Sequence, residues 1–106
     1  MIYLVTKQLK LFESSVYKTL TVKESLTMLN NAEYLQYDSE TNGRDARINT
    51  LLCVQFGSDK KDFQIVVDTS TIDIKLYKGI LETKLLIGQN IKFDLQFLYN
   101  YNIIPR

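Results

Sequence analysis

Asp38 and Glu40 stand two residues apart in the run Tyr34-Leu35-Gln36-Tyr37-Asp38-Ser39-Glu40. The aromatic, extended character of that run predicts a strand, and strand side chains alternate with period two, so both carboxylates project from one face. Two neighbouring carboxylates repel each other. Solvent, a nearby Lys or Arg, or a divalent cation relieves that repulsion. A solvated strand end is the plain reading, and a cation site is the chemical one, favoured where the strand otherwise reads as buried. Asp94 adds a third carboxylate: on a helix beginning near Ile91 it falls within the apolar stripe of Ile91, Leu95 and Leu98. There it needs a partner, unless it only complements the helix dipole from the first turn, an effect of about 0.3–1 kcal/mol.

The chain of 106 residues contains no histidine, which removes Ser-His-Asp triads, Cys-His nucleophiles and most zinc sites. Carboxylate-held magnesium or manganese is then the natural catalytic metal. The single cysteine, Cys53, lies in the apolar run Leu51-Leu52-Cys53-Val54 and reads as a buried small hydrophobe. Thirteen basic against twelve acidic residues give a net charge of +1, so any nucleic-acid binding rests on local geometry rather than on a global field. The N-terminus lacks the pattern of a secretory signal. No apolar run approaches the roughly 20 residues of a membrane span. The expectation is a cytoplasmic protein with no membrane partner.

The elements that must hold these carboxylates are legible in outline. Ile2-Tyr3-Leu4-Val5 reads as a short strand, and the residues from there to Thr21 show no clean period. Thr21 with Glu24 forms a capping-box pattern, and Val22, Leu26 and Leu29 recur at helical spacing, which predicts a helix over 22–30. The strand carrying Asp38 ends in the turn cluster Thr41-Asn42-Gly43-Arg44-Asp45. Residues 49–56 read as a strand buried on both faces, bounded by Gly57-Ser58-Asp59-Lys60-Lys61, and Phe63-Gln64-Ile65-Val66-Val67 completes a three-stranded meander. Residues 73–82 suggest a short amphipathic helix despite Gly79. Leu85-Leu86-Ile87-Gly88 reads as a buried strand, and 90–102 as a helix with Asn90 as its N-cap.

Together the two acidic motifs carry a resemblance. Tyr37-Asp38-Ser39-Glu40-Thr41-Asn42-Gly43 resembles the first motif of DEDD-type 3′–5′ exonucleases, an Asp-x-Glu-Thr core that ends the first strand. Leu86-Ile87-Gly88-Gln89-Asn90-Ile91-Lys92-Phe93-Asp94-Leu95 resembles the second, in the form seen in the proofreading domains of family A, bacteriophage-type DNA polymerases. The resemblance runs from about Tyr34 to the C-terminus. It implies an α/β, ribonuclease H-like exonuclease fold: a mixed sheet with an antiparallel meander and flanking helices, truncated at its C-terminus. By the same resemblance Asp38, Glu40 and Asp94 are metal ligands and catalytic residues, holding two Mg2+ or Mn2+ ions about 3.5–4 Å apart. Thr41, Gln89, Asn90 and Phe93 match positions that contact the 3′ end of single-stranded DNA. The plainer roles are a turn residue for Thr41, a helix cap for Asn90 and a core aromatic for Phe93. Arg44, Arg47 and Lys92 are candidates for phosphate contact or ordinary solvated cations.

The family pattern includes a fourth carboxylate and a water-orienting tyrosine or histidine in a third motif beyond the second. The expectation is therefore one incomplete domain, an extension over 1–32 and an exonuclease core over 33–106, weakly active alone. Its partners would be the remaining polymerase or exonuclease chain, or a second copy. The rival reading is a non-catalytic module docking onto a replication protein, and a ribonuclease of the same fold is a further alternative.

Overall fold

The computed structural model describes residues 2–7 and 17–105. In chain order these form β1 (Ile2–Val5), β2 (Tyr17–Thr19), α1 (Val22–Asn30), β3 (Tyr34–Thr41), β4 (Leu51–Ser58) and β5 (Phe63–Asp68). A 3-10 turn (Ile74–Tyr77), α2 (Lys78–Thr83), β6 (Leu85–Ile87) and α3 (Ile91–Tyr99) follow. The expected meander is present: β4 pairs antiparallel with both β3 and β5. Parallel strands extend it on either side into one sheet of order β2-β1-β5-β4-β3-β6.

Alternation divides this sheet into two unlike faces. Leu35 and Tyr37 of β3, Val54 and Phe56 of β4, and Ile65 and Val67 of β5 are buried on one side. All three helices contribute to that same core, through Leu29 of α1, Leu81 of α2, and Phe97 and Leu98 of α3. The rings of Tyr37, Phe56 and Tyr77 pack in series, with centroids 5.5 and 5.8 Å apart. The Tyr77 hydroxyl is satisfied by Ser25 Oγ of α1 at 2.6 Å. Gln36, Asp38, Glu40, Cys53, Gln55 and Gln64 alternate to the opposite side, which is largely open.

The capping box forms as the sequence predicts: the Glu24 amide donates to Thr21 Oγ1 at 3.1 Å and the Thr21 amide to Glu24 Oε1 at 2.9 Å. Several expectations are corrected. β2 was not anticipated, because three residues in parallel pairing carry no periodic signal; residues 8–16 of the aperiodic stretch lie outside the described residues. β1 and β2 join the same sheet as the core strands. β4 continues through Gly57 and Ser58, and it is not buried on both faces, since Leu52 is 46% exposed and Cys53 half-buried. The helix expected over 73–82 starts as a 3-10 turn, with the Asp73 side chain accepting from the Lys75 amide, before becoming α2. β6 is not a buried strand. It pairs in register with Tyr34, Leu35 and Gln36 at the edge of the sheet, so Leu85 and Ile87 point to the open face, 66% and 47% exposed.

Two polar devices close the ends of the sheet and of α3. At the end of β5 the Asp68 carboxylate accepts from Thr6 Oγ1 at 2.6 Å, from Thr71 Oγ1 at 3.1 Å and from the Ser70 amide at 3.1 Å, tying β1 to the loop after β5. Burial pushes the Asp68 carboxyl up, but the donors on Ser70, Thr6 and Thr71 outweigh it and hold it below its ordinary value. After α3, Asn102 turns into the left-handed region at φ 60°, its amide donates to the Tyr99 carbonyl, and the Ile103 amide donates back to Leu98 at 3.2 Å. This is a Schellman closure, with fully buried Ile103 as its apolar clasp.

A carboxyl held low by folding stabilises above its unfolded pKa, and that contribution is lost as pH falls through the folded value. Asp68→Asn should therefore lower the urea midpoint at pH 7 and make little difference near pH 2. At the α3 terminus, Asn102→Gly should hold or raise Tm, whereas Asn102→Val should cost about 1–2 kcal/mol because a β-branched residue resists positive φ; thermal unfolding of the pair gives the sign.

Candidate active site

Asp38 and Glu40 lie at the end of β3, both exposed on the open face. They stand opposite Gln55 and Cys53 of β4. Immediately after Glu40 the pairing slips, so that Thr41 faces Leu51 and Leu52 is left over on β4. Such a bulge bends the strand and ends the ladder just beyond the carboxylates. The Ser39 amide donates to Asp38 Oδ1 at 2.9 Å.

Asp94 approaches β3 from the helical side. It is 2% exposed, and its Oδ1 accepts a hydrogen bond from Ser39 Oγ at 2.7 Å. This is the partner that a carboxylate on the buried stripe of α3 requires. Burial raises the Asp94 carboxyl above its ordinary pKa; the Ser39 hydrogen bond opposes that, and the negative charges of Asp38 and then Glu40 add to it. Asp94 thus shares an electrostatic neighbourhood with the strand pair. Among the described residues, no three His, Cys, Asp or Glu side chains converge closely enough to hold a metal ion. The chemistry of the donor set nonetheless fits a hard divalent ion: every charged donor is a carboxylate oxygen, and their mutual repulsion is what a cation would relieve.

Beside Asp38 a cleft of about 510 Å³ opens on the sheet face, lined among others by Gln36, Gln55, Gly57, Gln89 and Asn90. Its outer wall is the loop joining β6 to α3. Asn90 stands at the N-cap position of α3 as expected, but its side chain makes no cap hydrogen bond, and the residue lines the cleft. Gln89 is exposed there as well. Gly88 permits the close approach, because a Cβ at that position would come within 2.6 Å of the Tyr37 carbonyl oxygen. Thr41 takes its plainer role in this structure, its hydroxyl donating to the Gly43 carbonyl in the following turn. Phe93 is half-buried and packs edge-on against Phe97, centroids 5.3 Å apart.

Two contributors were missed by reasoning from the sequence. Ser39, the central residue of the Asp-x-Glu core, holds Asp94. The signal was available, because alternation places it on the face opposite Asp38 and Glu40, toward the helices. Tyr37 is buried with a hydroxyl that has no hydrogen-bond partner among the described residues, and burial, then Asp94 and Asp38, raise its phenol well above its ordinary value.

A family model described as 3′–5′ exonuclease, of the type found in family A DNA polymerases, matches residues 14–106. DNA polymerase I of Aquifex aeolicus (strain VF5) is 34% identical over 85 residues, 79% of this chain and 14% of that protein's length. Among solved structures, Trypanosoma brucei RNase D, crystallised with RNA U12, superposes with a TM-score of 0.61 at 17% identity, over 89% of this chain and 32% of its own. The EXO domain of Aedes aegypti Nibbler gives 0.63 at 11% identity, over 99% of this chain and 48% of its own. These likenesses establish the ribonuclease H-like fold.

The close approach at Gly88 has a measurable counterpart elsewhere. Gly88→Ala should displace the cleft wall, shift the backbone amide resonances of Gln89 and Asn90, and cost about 1–3 kcal/mol of stability through overpacking. Gly79→Ala, in α2, meets no atom within 4 Å and should instead stabilise by up to about 1 kcal/mol through helix propensity.

Proposed function

Because this chain belongs to the 3′–5′ exonuclease family of family A DNA polymerases, we propose that it grips the 3′ end of single-stranded DNA and sets the terminal phosphodiester against Asp38, Glu40 and Asp94 for hydrolysis, as in proofreading. The observation that carries this reading is the exposed Asp38 in the wall of an amide-lined cleft, with Glu40 next on the same face of β3 and Asp94 held behind the strand. In the reaction a water oxygen adds to phosphorus and the bond from phosphorus to the preceding 3′ oxygen breaks, releasing a nucleoside 5′-monophosphate and a strand one residue shorter. Two magnesium or manganese ions, when bound, would activate that water and stabilise the leaving 3′ oxygen.

Asp38, Glu40 and Asp94 would hold those ions. The amides of Gln89 and Asn90 offer both donors and acceptors, so they can meet sugar and base edges of the terminal nucleotide without demanding one base. Half-buried Phe93 and the Thr41 backbone complete the contact set. Base-independent grip of this kind suits removal of whatever nucleotide stands at the end. A bacteriophage source belongs to the same proposal and rests on the Lys- and Asn-rich composition; a cytoplasmic setting, the host's if phage-encoded, goes with it. Among the described residues no helix is long and apolar enough to cross a membrane.

A second reading is favoured by the open sheet face, where Ile2, Leu85 and Ile87 are exposed beside the polar row. Here the chain docks onto the remaining polymerase or exonuclease chain, or onto a second copy, without catalysing anything itself.

The test is 3′–5′ degradation of labelled single-stranded DNA in manganese, with RNA of the same sequence alongside. The expected outcome is weak activity on DNA that Asp38→Ala lowers by at least about 100-fold, the scale of losing one electrostatic partner of the transition state. Equal rates for the two proteins would reject the carboxylate assignment. Absence of activity in both, with self-association in sedimentation, would select docking.

A further inference from the structure

The turn after β3 and the exposed side of α3 enclose a second groove, separate from the amide-lined cleft and of about 550 Å³. Arg44, Asp45, Ala46 and Arg47 line it from the turn, and Gln96, Tyr99 and Asn100 from the helix. It is a fixed feature, because the Asn100 side chain donates to the Ala46 carbonyl across it and the Asp45 amide donates to Asn49 Oδ1 at 3.1 Å within the turn.

The lining has a definite chemical character. Arg44 is exposed and makes no hydrogen bond or ion pair among the described residues. Arg47 is engaged by Asp45, with Nε and Nη2 at 3.0 and 2.9 Å from its carboxylate, yet its side chain is 88% exposed. An ion pair so exposed is weak and readily exchanged for a better anion. Asp45 neutralises part of this charge, so the groove is suited to a single phosphate rather than a polyanion. Tyr99 stands beside the cations with 53% of its surface exposed, and Gln96 and Asn100 supply amides. A cation pair, an exposed aromatic and amides in one groove match a phosphate with its attached base.

We propose that this groove is a second nucleotide subsite, taking a phosphate on Arg44 and Arg47 and a base on Tyr99 from a residue upstream of the 3′ end. The proposal rests on the function put forward above. The turn supplies the connection, since it leads directly from Glu40 and Thr41 to Arg44, and α3 carries both Asp94 and Tyr99. A strand whose end lies at the carboxylates on the open face would reach the groove by passing over this turn, around the end of β3 to the helical side.

The experiment is fluorescence anisotropy of 3-mer and 10-mer single-stranded DNA with calcium replacing the catalytic ion. The variants are Arg44→Gln/Arg47→Gln, Tyr99→Ala, and the charge-matched control Lys60→Gln/Lys61→Gln in the turn at the far end of β4. The unsubstituted chain should bind the 10-mer more tightly than the 3-mer. The arginine double variant and Tyr99→Ala should each lose most of that gain while keeping 3-mer affinity. The arginine variant's salt slope should also fall by about 0.7 for each phosphate released, and the lysine control should keep the length dependence. A length dependence unchanged in the arginine variant, or lost equally in the lysine control, would overturn the subsite and leave the function standing. No binding of either oligonucleotide by the unsubstituted chain would overturn both.

Discussion

Side chains on a strand alternate between its faces, and β3 turns this constraint into the organising fact of the molecule. Leu35, Tyr37 and Ser39 face the helices, while Gln36, Asp38 and Glu40 face the open side. The buried set anchors the strand in the core. It thereby fixes the direction of the two carboxylates, since a one-residue slip of β3 would exchange the sets and bury Asp38 and Glu40 at prohibitive cost. Ser39 links the two worlds: its side chain holds Asp94 at 2.7 Å while its amide holds Asp38 at 2.9 Å.

From this the arrangement of the site follows. The helical layer carries Asp94 up to β3, and β6 pairs only with Tyr34, Leu35 and Gln36, so that among the described residues the far half of β3 has no strand on that side. Gly88 lets the chain turn tightly around that edge, bringing Gln89 and Asn90 onto the face where Asp38 lies. The site is thus assembled around the unpaired edge of one strand rather than in the middle of a sheet. Burial first, and then the negative charges of Asp38 and Glu40, raise the proton affinity of Asp94.

Much of this was legible in the sequence where the signal was local. The capping box at Thr21 and Glu24, the meander of β3, β4 and β5, and the shared face of Asp38 and Glu40 each follow from short-range chemistry and recur in the structure. What failed depended on neighbours distant in sequence. Leu85 and Ile87 look like core residues until the pairing with Tyr34 and Gln36 puts them on the uncovered face. Asn90 is the N-cap by position, but at φ −121° and ψ 48° its side chain makes no cap hydrogen bond. β2 becomes a strand only because β1 is there to receive it. Ser39 was readable by alternation, but only once Asp94 had been placed on the same side.

The parallel pairing of β1 with β5 matches Ile2 with Gln64 and Val5 with Val67. During synthesis β1 therefore emerges long before the strand that receives it, whereas β3, β4 and β5 meet across short turns. The order of assembly should therefore run against the order of translation: the meander closes first, and β1, made before it, is added to β5 later. Until then the apolar tetrapeptide Ile2-Tyr3-Leu4-Val5 has only the short β2 to pair with on one side and an open edge on the other, and chaperone demand on the nascent chain should be concentrated in that interval.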